Sequence, residues 1–469
     1  MSRSNAVDYS SSRALLDAPL TPLLIRKTLP VIGGMLAMMT FNLADAYFVS
    51  RLGTQPLAAV AFTFPVVFAV ISTSVGMAIG TSAVIARLLG SGDSSLIARR
   101  ATDAVLLSLI VGLLITLAGL PSVEALFTLL GADQALMPYI HQYMGVWYWG
   151  AALIMAPRVL NSILRAHGNT VMAGVGMAGA ALLNIILDPL LIFGLGPIPA
   201  MGVSGAALAT VISWGAVTLG LCFHPQLRRL IALKGLALSV LLDSWQKLGK
   251  IALPAAITSL FTPIAMALLT RIVASHGHDA VAAFGVGTRI DAIAQIVVLA
   301  LSMTLSPVVS QNVGAGANER VRRAVFGCFA FVLVWQLLIW GLLQVLAPWI
   351  TASYAETATV ESVLRIFIWL VPLGLGAQGV IILSVSSLNA MHRPRKAMLL
   401  SLIRLFVLYV PLSWLGGKLV GIEGIFGGML AANLIMGLVA WGYIRPVLRA
   451  GPRNDSPRVT QALKKTTSS

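Results

Sequence analysis

The sequence predicts an all-α integral membrane protein with twelve transmembrane helices in two six-helix bundles. The 469 residues are 58% hydrophobic and only 10% charged, with a mean hydropathy of +0.90, unlike soluble globular proteins. About twelve apolar segments approach the roughly 20 residues that a helix needs to cross a bilayer. The second half of the chain also repeats features of the first half. Because the alternating pattern of barrel strands is absent, we expect these segments to be helical.

The apolar segments fall, in order, at 24–49, 57–88, 101–120, 137–159, 171–194, 203–223, 251–275, 281–309, 324–349, 363–388, 397–419 and 425–447. We therefore predict a cytoplasmic arm over 1–23, an N-lobe of helices 1–6 over 24–223, and a cytoplasmic connector over 224–250. A C-lobe of helices 7–12 over 251–450 and a disordered cytoplasmic tail over 451–469 complete the chain.

Positive charge predicts the orientation of these helices. Lys and Arg concentrate in the amino-terminal arm and in every second loop, as at Arg99 and Arg100, whereas Arg51 and Lys418 are the main exceptions. The positive-inside rule then places both termini in the cytoplasm. The net charge of +16 is explained by short pieces on one side of the membrane, so we expect no nucleic-acid partner.

Nothing in the sequence predicts an enzyme or a resident cofactor. The glycine-rich turn at Gly90 lacks the Lys-Ser/Thr ending of a phosphate loop, and the six histidines lie at helix ends or in loops. The two cysteines, Cys222 and Cys328, lie in apolar segments and form no metal or disulfide pattern. We expect no catalytic residue, and no certain metal site.

The two halves share short sequence motifs at an offset of about 220 residues, or six helices. Because six is even, both copies have one orientation, and the predicted pseudo-two-fold axis runs along the membrane normal. Such a repeat suits alternating access through a central cleft, although gene duplication alone would leave the same trace. The matching pairs are Leu29-Pro30 with Leu253-Pro254, Gly90-Ser-Gly-Asp with Gly314-Ala-Gly-Ala, Leu164-Arg-Ala-His with Leu388-Asn-Ala-Met-His, and Gly202-Val-Ser-Gly with Gly421-Ile-Glu-Gly.

Three acids, Asp45, Asp188 and Asp291, fall well inside the apolar segments. An ionisable group at membrane depth costs at least about 2.5 kcal/mol, which favours a functional reason for keeping it. For Asp291 we expect instead a structural charge pair with a base from another helix, since Arg289 is two residues away and points elsewhere. The structural alternative for Asp45 and Asp188 is that they bond neighbouring helices.

Oxygen-bearing side chains accompany two of these acids. Asn184 and Asp188 are four residues apart and share one helix face, and Pro189 frees a backbone carbonyl beside them. Asn42 precedes Asp45 by three residues and is a candidate for lining the substrate cleft, and Thr210 on the sixth helix could face the acids. Two neighbouring carboxylates in a low-dielectric environment cannot both stay ionised at low cost, so one of them readily takes a proton. A proton exchanger needs such a coupled pair. The same oxygens at Asp45, Asn184, Asp188 and Thr210 suit Na⁺, so the coupling ion stays open.

The chain resembles the multidrug and toxic compound extrusion family over nearly its whole length. The resemblance rests on the six-plus-six layout, the Gly-Ser-Gly-Asp turn, the Leu-Arg-Ala-His-Gly-Asn turn and the Asn-x-x-x-Asp-Pro motif ending at Pro189. Within the family it is similar to the DinF branch. That branch implies an N-lobe coupling site at Asp45, Asn184, Asp188 and Thr210, with Tyr143 and Asn161 lining the same lobe. It also implies bending of the first helix around Pro30 when Asp45 is protonated.

The resemblance implies a multi-pass inner-membrane antiporter that exports xenobiotic drugs, confers antibiotic resistance and uses an inward proton flow, with Na⁺ as the alternative ion. The expected substrates are cationic or amphipathic drugs, and we expect a monomer surrounded by membrane lipid. Met177, one of several flexible methionines, would suit a cleft for varied apolar molecules. Acids expected on the seventh and tenth helices of sodium-coupled relatives are missing, so coupling should lie in the N-lobe. The alternative function is a flippase for lipid or lipid-linked oligosaccharide from the same superfamily.

Overall fold

The computed structural model describes residues 10–93, 96–194, 197–230, 238–354 and 357–450. Within these ranges the regular structure is helical throughout, as the composition predicts. The helices are α1 (Ser10–Asp17), α2 (Leu20–Ser50), α3 (Thr54–Ser91), α4 (Ile97–Leu129), α5 (Met137–Trp149), α6 (Ala151–Ala166), α7 (Thr170–Phe193), α8 (Val203–Phe223), α9 (Pro225–Leu230), α10 (Leu238–Ala274), α11 (His278–Ala294), α12 (Ile296–Gly314), α13 (Asn318–Tyr354), α14 (Ala358–Leu370), α15 (Leu375–Ala390), α16 (Pro394–Leu402), α17 (Val410–Val420) and α18 (Ile422–Ala450).

These helices form the predicted twelve membrane-crossing units, although some units consist of two pieces. In the described ranges, 11 segments are long and apolar enough to cross a membrane without help. The twelfth unit consists of α5 and α6, of 13 and 16 residues, which meet at Gly150 and are each too short alone. A 3₁₀ turn at Pro372–Gly374 separates α14 from α15, and a π-helix at Ile403–Tyr409 joins α16 to α17. Mid-membrane breaks of this kind were not visible in the apolar pattern.

Helix ends extend beyond several predicted segments. The first crossing begins at Leu20 instead of 24, and α10 begins at Leu238, inside the predicted connector, instead of at 251. The reason is physical, because polar residues can continue a helix once it leaves the hydrocarbon, whereas a hydropathy pattern records only the hydrocarbon part. The arm contains α1, and the connector contains α9. The predicted disordered tail, 451–469, lies outside the described residues.

The internal repeat is visible in the turns. Left-handed glycines occupy corresponding turns in the two halves, with φ of 77° at Gly92 and 74° at Gly316. The turn after α6 places Gly168 at φ 81°, and its counterpart after α15 places His392 at φ 59°. Within the described chain, His392 is the non-glycine residue with a positive φ. This left-handed conformation costs an L-residue roughly 1–2 kcal/mol. The two halves therefore repeat the backbone conformation of these turns as well as their amino-acid sequence.

We call helices α2–α8 the N-lobe and α10–α18 the C-lobe. One large core of buried apolar residues belongs mainly to the N-lobe, and the remaining cores lie in the C-lobe. The start of the chain crosses this division. Leu15, Leu23 and Leu24 pack into a C-lobe core, and Asn312 of α12 donates to the Leu15 carbonyl at 3.1 Å. The amino-terminal segment therefore fastens the first N-lobe helix to the C-lobe.

The lobes meet at the end of the molecule where α2 begins and α3 ends, which we call the basic end. There the Ser310 hydroxyl donates to the Ala83 carbonyl at 2.8 Å, and the Gln311 amide donates to the Ala166 carbonyl at 2.6 Å. The His392 ring nitrogen Nε2 contacts the same Ala83 carbonyl at 3.1 Å. Helix α12 packs against α2 and α3, whereas α11 packs chiefly against α10 and α14. The lobes therefore join at the basic end, where α10 of the C-lobe also packs closely along α3 of the N-lobe.

The start of α10 is also fixed to the N-lobe at the basic end. Asp103 of α4 is fully buried, pairs with Arg99 at 3.0 Å and accepts a hydrogen bond from Ser244. Arg100 pairs with Asp243 at 2.8 Å, so charged groups of the two lobes interlock here.

Candidate functional site

The interior of the N-lobe contains a cluster of polar side chains around α7, which we call the N-lobe chamber. Asp188 is completely buried there, Asn184 one turn earlier is 2% exposed, and Thr210 of α8 lies opposite. Helices α7 and α8 are adjacent, which brings the predicted Asn184, Asp188 and Thr210 together. The spacing of four residues therefore placed both α7 side chains on one inward face, as predicted.

The Asn184 amide has two orientations with different partners. In one, its nitrogen donates to the Thr210 hydroxyl at 3.3 Å, and its oxygen is directed at Asp188. In the other, the nitrogen donates to the two Asp188 carboxylate oxygens at 3.3 and 2.8 Å, and the oxygen accepts from the Thr210 backbone N–H at 3.1 Å. The second orientation satisfies both ends of the amide when Asp188 is ionised. Thr210 itself donates to the Ala206 carbonyl of its own helix at 3.2 Å.

Asp45 of α2 completes the acidic pair. It lies within electrostatic reach of Asp188, and both acids act on the Tyr143 phenol. One Asp45 carboxylate oxygen, Oδ1, is buried and has no hydrogen-bond partner within the described chain. Neither acid is within 4.0 Å of a basic side chain in the described ranges. The structure therefore brings two unpaired carboxyl groups and a phenol into one chamber.

Tight packing of α2 against α7 positions Asp45 relative to Asp188. A side chain at Gly174 of α7 would place its Cβ 2.3 Å from the Pro30 carbonyl oxygen of α2, and one at Gly34 would lie 3.1 Å from the Met177 Cβ. Small residues let two membrane helices approach closely. Met177 thus packs at this helix interface and is only partly exposed.

The remaining predicted cleft residues lie at different depths. Tyr143 is 8% exposed and Asn161 is 3% exposed, and the Asn161 side-chain oxygen Oδ1 is buried without a hydrogen-bond partner in the described chain. Asn42, by contrast, is exposed on α2. The structure therefore places Tyr143 with the acids and leaves Asn161 as a nearby buried amide.

The expected charge pair of Asp291 is wrong for the part of the chain that the structure describes. No basic side chain there lies within 4.0 Å of Asp291, its Oδ1 is buried without a hydrogen bond, and Arg289 is exposed. A residue two positions away on a helix faces another side, which explains Arg289. The distance to a base from another helix depends on packing that the sequence does not reveal.

Two arginines inside apolar segments escaped the sequence reasoning. Arg158 of α6 donates to the Ile154 carbonyl at 2.7 Å and lies 5.1 Å from the centre of the Trp214 ring. Arg404 lies in the π-helix of the C-lobe, near Tyr409 and Asn433. The criterion that singled out the acids, a charge inside an apolar segment, would also have found these residues.

Comparison with known proteins gives consistent matches. The sequence model of the MatE family matches residues 30–190 and 254–415. The chain is 38% identical over 429 residues to a protein of Shewanella oneidensis named FAD transporter, covering 91% of this chain and 95% of the relative. It is 23% identical over 428 residues to the multidrug export protein MepA of Staphylococcus aureus, covering 90% and 93%.

Solved structures agree over a similar extent. The Vibrio cholerae MATE transporter VcmN in the bent form superposes with a TM-score of 0.87 at 33% identity, covering 94% of this chain and 99% of that one. An outward-facing multidrug resistance MATE family transporter of the MOP superfamily superposes with a TM-score of 0.87 at 27% identity, covering 93% and 97%. The matched residues include both lobes described above.

Proposed function

Because the chain belongs to the MatE family of membrane transporters, we propose that it exports amphipathic aromatic compounds in exchange for protons, with Asp45 and Asp188 carrying the protons. The observation that carries this proposal is the N-lobe chamber, in which two carboxyl groups lie within electrostatic reach of each other without a basic partner in the described chain. A buried carboxylate without a counter-charge is costly, so each group gains by taking a proton or a cation.

Asn184 links the protonation state of Asp188 to the geometry of the chamber. The amide orientation in which nitrogen faces the carboxylate suits ionised Asp188, because a carboxylate only accepts hydrogen bonds. The orientation in which oxygen faces Asp188 suits the protonated acid, because its O–H then donates while the amide nitrogen donates to Thr210. We propose that proton uptake turns the amide and shifts the contacts between α7 and α8.

Transport then follows from competition for the acids. With both lobes open toward the outside, protons neutralise Asp45 and Asp188, and the chamber no longer attracts a cationic or polarised aromatic substrate. With the cleft open to the cytoplasm, proton release restores the attraction. Linkage of this kind requires the substrate to bind more tightly to one protonation state than to the other.

The membrane orientation is part of the proposal. The basic end carries Arg87, Arg99 and Arg100, and the positive-inside rule assigns that end to the cytoplasm. In this orientation both termini lie in the cytoplasm, and the contact between the lobes closes the cytoplasmic side. We propose the bacterial inner membrane as the location.

The relatives suggest two kinds of test compound. The name of the Staphylococcus aureus relative refers to multidrug export, and the name of the more similar Shewanella oneidensis relative refers to FAD. FAD combines planar ring systems with a diphosphate, whereas the other name specifies no compound class. We propose that cationic dyes and flavins are both suitable test compounds for this chain.

The test uses proteoliposomes with an imposed pH gradient in sodium-free buffer. We expect the wild-type protein to move ethidium when the gradient is present, and Asp188→Asn to lose this activity while keeping its yield and melting temperature. Asp133→Asn is the matched control, because Asp133 is an exposed acid outside the chamber. Full activity of Asp188→Asn would contradict the proposal. Transport that strictly depends on Na⁺ would show that Na⁺, and not the proton, is the coupling ion.

A further inference from the structure

Three crossing units of the C-lobe are interrupted within the membrane. Helices α11 and α12 meet at Gln295, the 3₁₀ turn Pro372–Gly374 separates α14 from α15, and the π-helix Ile403–Tyr409 lies between α16 and α17. π-helical segments are rare and occur frequently at functional sites. Transporters build substrate sites from broken helices, because an interrupted helix frees polar groups at membrane depth.

Five polar side chains lie beside these interruptions, and we call them the C-lobe polar cluster: Asp291, Gln378, Arg404, Tyr409 and Asn433. The Arg404 Nε donates to the Asn433 side-chain oxygen at 3.3 Å, and the Asn433 amide donates to Gln378 at 3.4 Å. The Arg404 guanidinium carbon lies 5.7 Å from the centre of the Tyr409 ring. Asn433 also packs against Gly374 of the 3₁₀ turn. The cluster therefore joins the break in one unit to the π-helix of another.

The Arg404 guanidinium has hydrogen-bond donors that its neighbours among the described residues do not use. Its Nε is occupied, but its two terminal nitrogens make no hydrogen bond or ion pair among the described residues. Asn433 and Tyr409 are buried, at 1% and 6% exposure, whereas Arg404 is only half-buried. The Arg404 side chain is thus partly exposed, with its Nε bonded to the Asn433 amide and its guanidinium beside the Tyr409 ring. Arg158 differs, since one of its terminal nitrogens is bonded to its own helix.

A guanidinium without a carboxylate partner is suited to an oxyanion. Its planar fork matches two oxygens of a phosphate, and stacking on an aromatic ring reduces the entropy lost when it binds. Asp291 interacts electrostatically with Tyr409 and lies outside ion-pair distance of Arg404. When Asp291 is ionised, its negative charge repels an anionic ligand, so replacing it should strengthen anion binding under alkaline conditions. Nearby, Phe261 and Phe406 form an edge-to-face pair at 5.4 Å and are both partly exposed.

We propose that the C-lobe polar cluster binds a phosphate of an aromatic nucleotide, with Arg404 as the phosphate-binding residue and the Phe261–Phe406 pair beside it for the ring system. The inference rests on the proposed function, in which the substrate is an aromatic compound that enters between the lobes. The N-lobe then handles the proton, and the C-lobe recognises the anionic part of the substrate.

The first test measures binding to the full-length protein in lipid nanodiscs. FAD and riboflavin share the flavin ring, but only FAD has phosphate. We expect Arg404→Gln to raise the Kd for FAD by about tenfold or more, as for loss of a charge-assisted hydrogen-bonded pair, and to leave the Kd for riboflavin within about twofold. Arg404→Lys keeps the charge without the fork and should fall between. Equal effects on both ligands, or none on FAD, would overturn the site.

Asp291→Asn provides a test with the opposite sign. At alkaline pH, where the wild-type Asp291 is ionised, this substitution should lower the Kd for FAD several-fold and leave that for riboflavin unchanged, a change that a purely structural role does not produce. This variant also serves if Arg404→Gln does not fold, as judged from its melting temperature. Weaker or unchanged FAD binding in Asp291→Asn would count against the proposed arrangement.

Two further arms separate the possible failures. Nanodiscs with and without phosphatidylglycerol show whether a lipid phosphate takes the place of the nucleotide, since lipid occupancy would weaken FAD binding only in the anionic discs and would overturn the nucleotide assignment. Ethidium transport driven by a pH gradient is measured in the wild-type protein. If wild-type protein moves ethidium but binds no FAD, this inference fails and the proposed function stands. If it moves neither compound, the proposed function fails.

Discussion

The contact between the lobes at the basic end rests on glycines, and Gly90→Ala should force it open. A Cβ at Gly90 would lie 1.9 Å from the Gln311 carbonyl oxygen, whereas real Cβ contacts are essentially never shorter than 3.0 Å. Because the obstructing atom belongs to the backbone of α12, it cannot rotate away, and the lobes have to separate by about 1 Å. That displacement strains the Gln311–Ala166 and Ser310–Ala83 hydrogen bonds.

The expected cost combines overpacking, about 1–3 kcal/mol, with the weakening of one or two hydrogen bonds, each about 0.5–1.5 kcal/mol. A total of about 1.5–6 kcal/mol shifts the equilibrium between the closed and open basic end by roughly tenfold or more toward the open form. Gly314→Ala is an independent repetition, since its Cβ would lie 2.3 Å from the Arg87 carbonyl oxygen.

The assay measures the distance between spin labels at Arg228 and Arg395, exposed positions at the basic end of the two lobes, after replacement of both native cysteines. We expect a longer distance in Gly90→Ala and Gly314→Ala and reduced transport in both. Gly327→Ala is the matched control, because a Cβ there meets nothing within 4 Å while the gain in helix propensity is the same. An unchanged distance in both test variants would refute the reasoning.

Three further outcomes follow from the same contacts. Burial lowers the pKa of His392 to about 4, so the closed basic end keeps this residue neutral. Closure is therefore fully stabilised above the ordinary histidine pKa of about 6.5 and weakens, by at most about 3 kcal/mol, as the pH falls toward 4. The spin-label distance should lengthen as the pH is lowered in the wild-type protein but not in His392→Gln. Asp103→Ala removes the ion pair to Arg99 and the acceptor of the Ser244 hydrogen bond and should lower stability by about 1–3 kcal/mol, seen as a lower melting temperature, whereas exposed Asp133→Ala should change it little. Gln336→Leu strands the Ala294 carbonyl at the break between α11 and α12 and should cost about 1–3 kcal/mol in the same assay, and a wild-type melting temperature would show that the break is satisfied in another way.

Much of the candidate site was predictable from the sequence. Some of its residues are close together on one helix, and others are acids whose presence in an apolar segment is costly. Asn184 and Asp188 lie on one face of α7 whatever the rest of the chain does, and the cost of an acid in hydrocarbon marked Asp45 without any structure. The proximity of Asp45 to Asp188 was not predictable in this way. It depends on Gly34 and Gly174, which let α2 and α7 approach, and glycines at two distant positions carry no pairing signal in a single sequence.

The misplaced expectations have the same origin. Asp291 has no base beside it among the described residues because the relative rotation of helices decides which charges meet, and no local pattern records it. The breaks at Gly150 and in the π-helix escaped notice because hydropathy reports the solvent around a segment and not its hydrogen bonding. The DinF branch, the monomeric state and the coupling ion remain predictions.

The sequence by itself determined that this chain is a helical membrane protein with an internal repeat and acids at depth, because hydrocarbon imposes its solvation cost on each residue separately. Only the tertiary structure decided which polar groups lie together, at which end the lobes join, and that a guanidinium without an ion pair among the described residues lies in the lobe opposite the acids. Those features arise from contacts between helices distant in sequence, where small residues, helix breaks and rotation about helix axes set the distances.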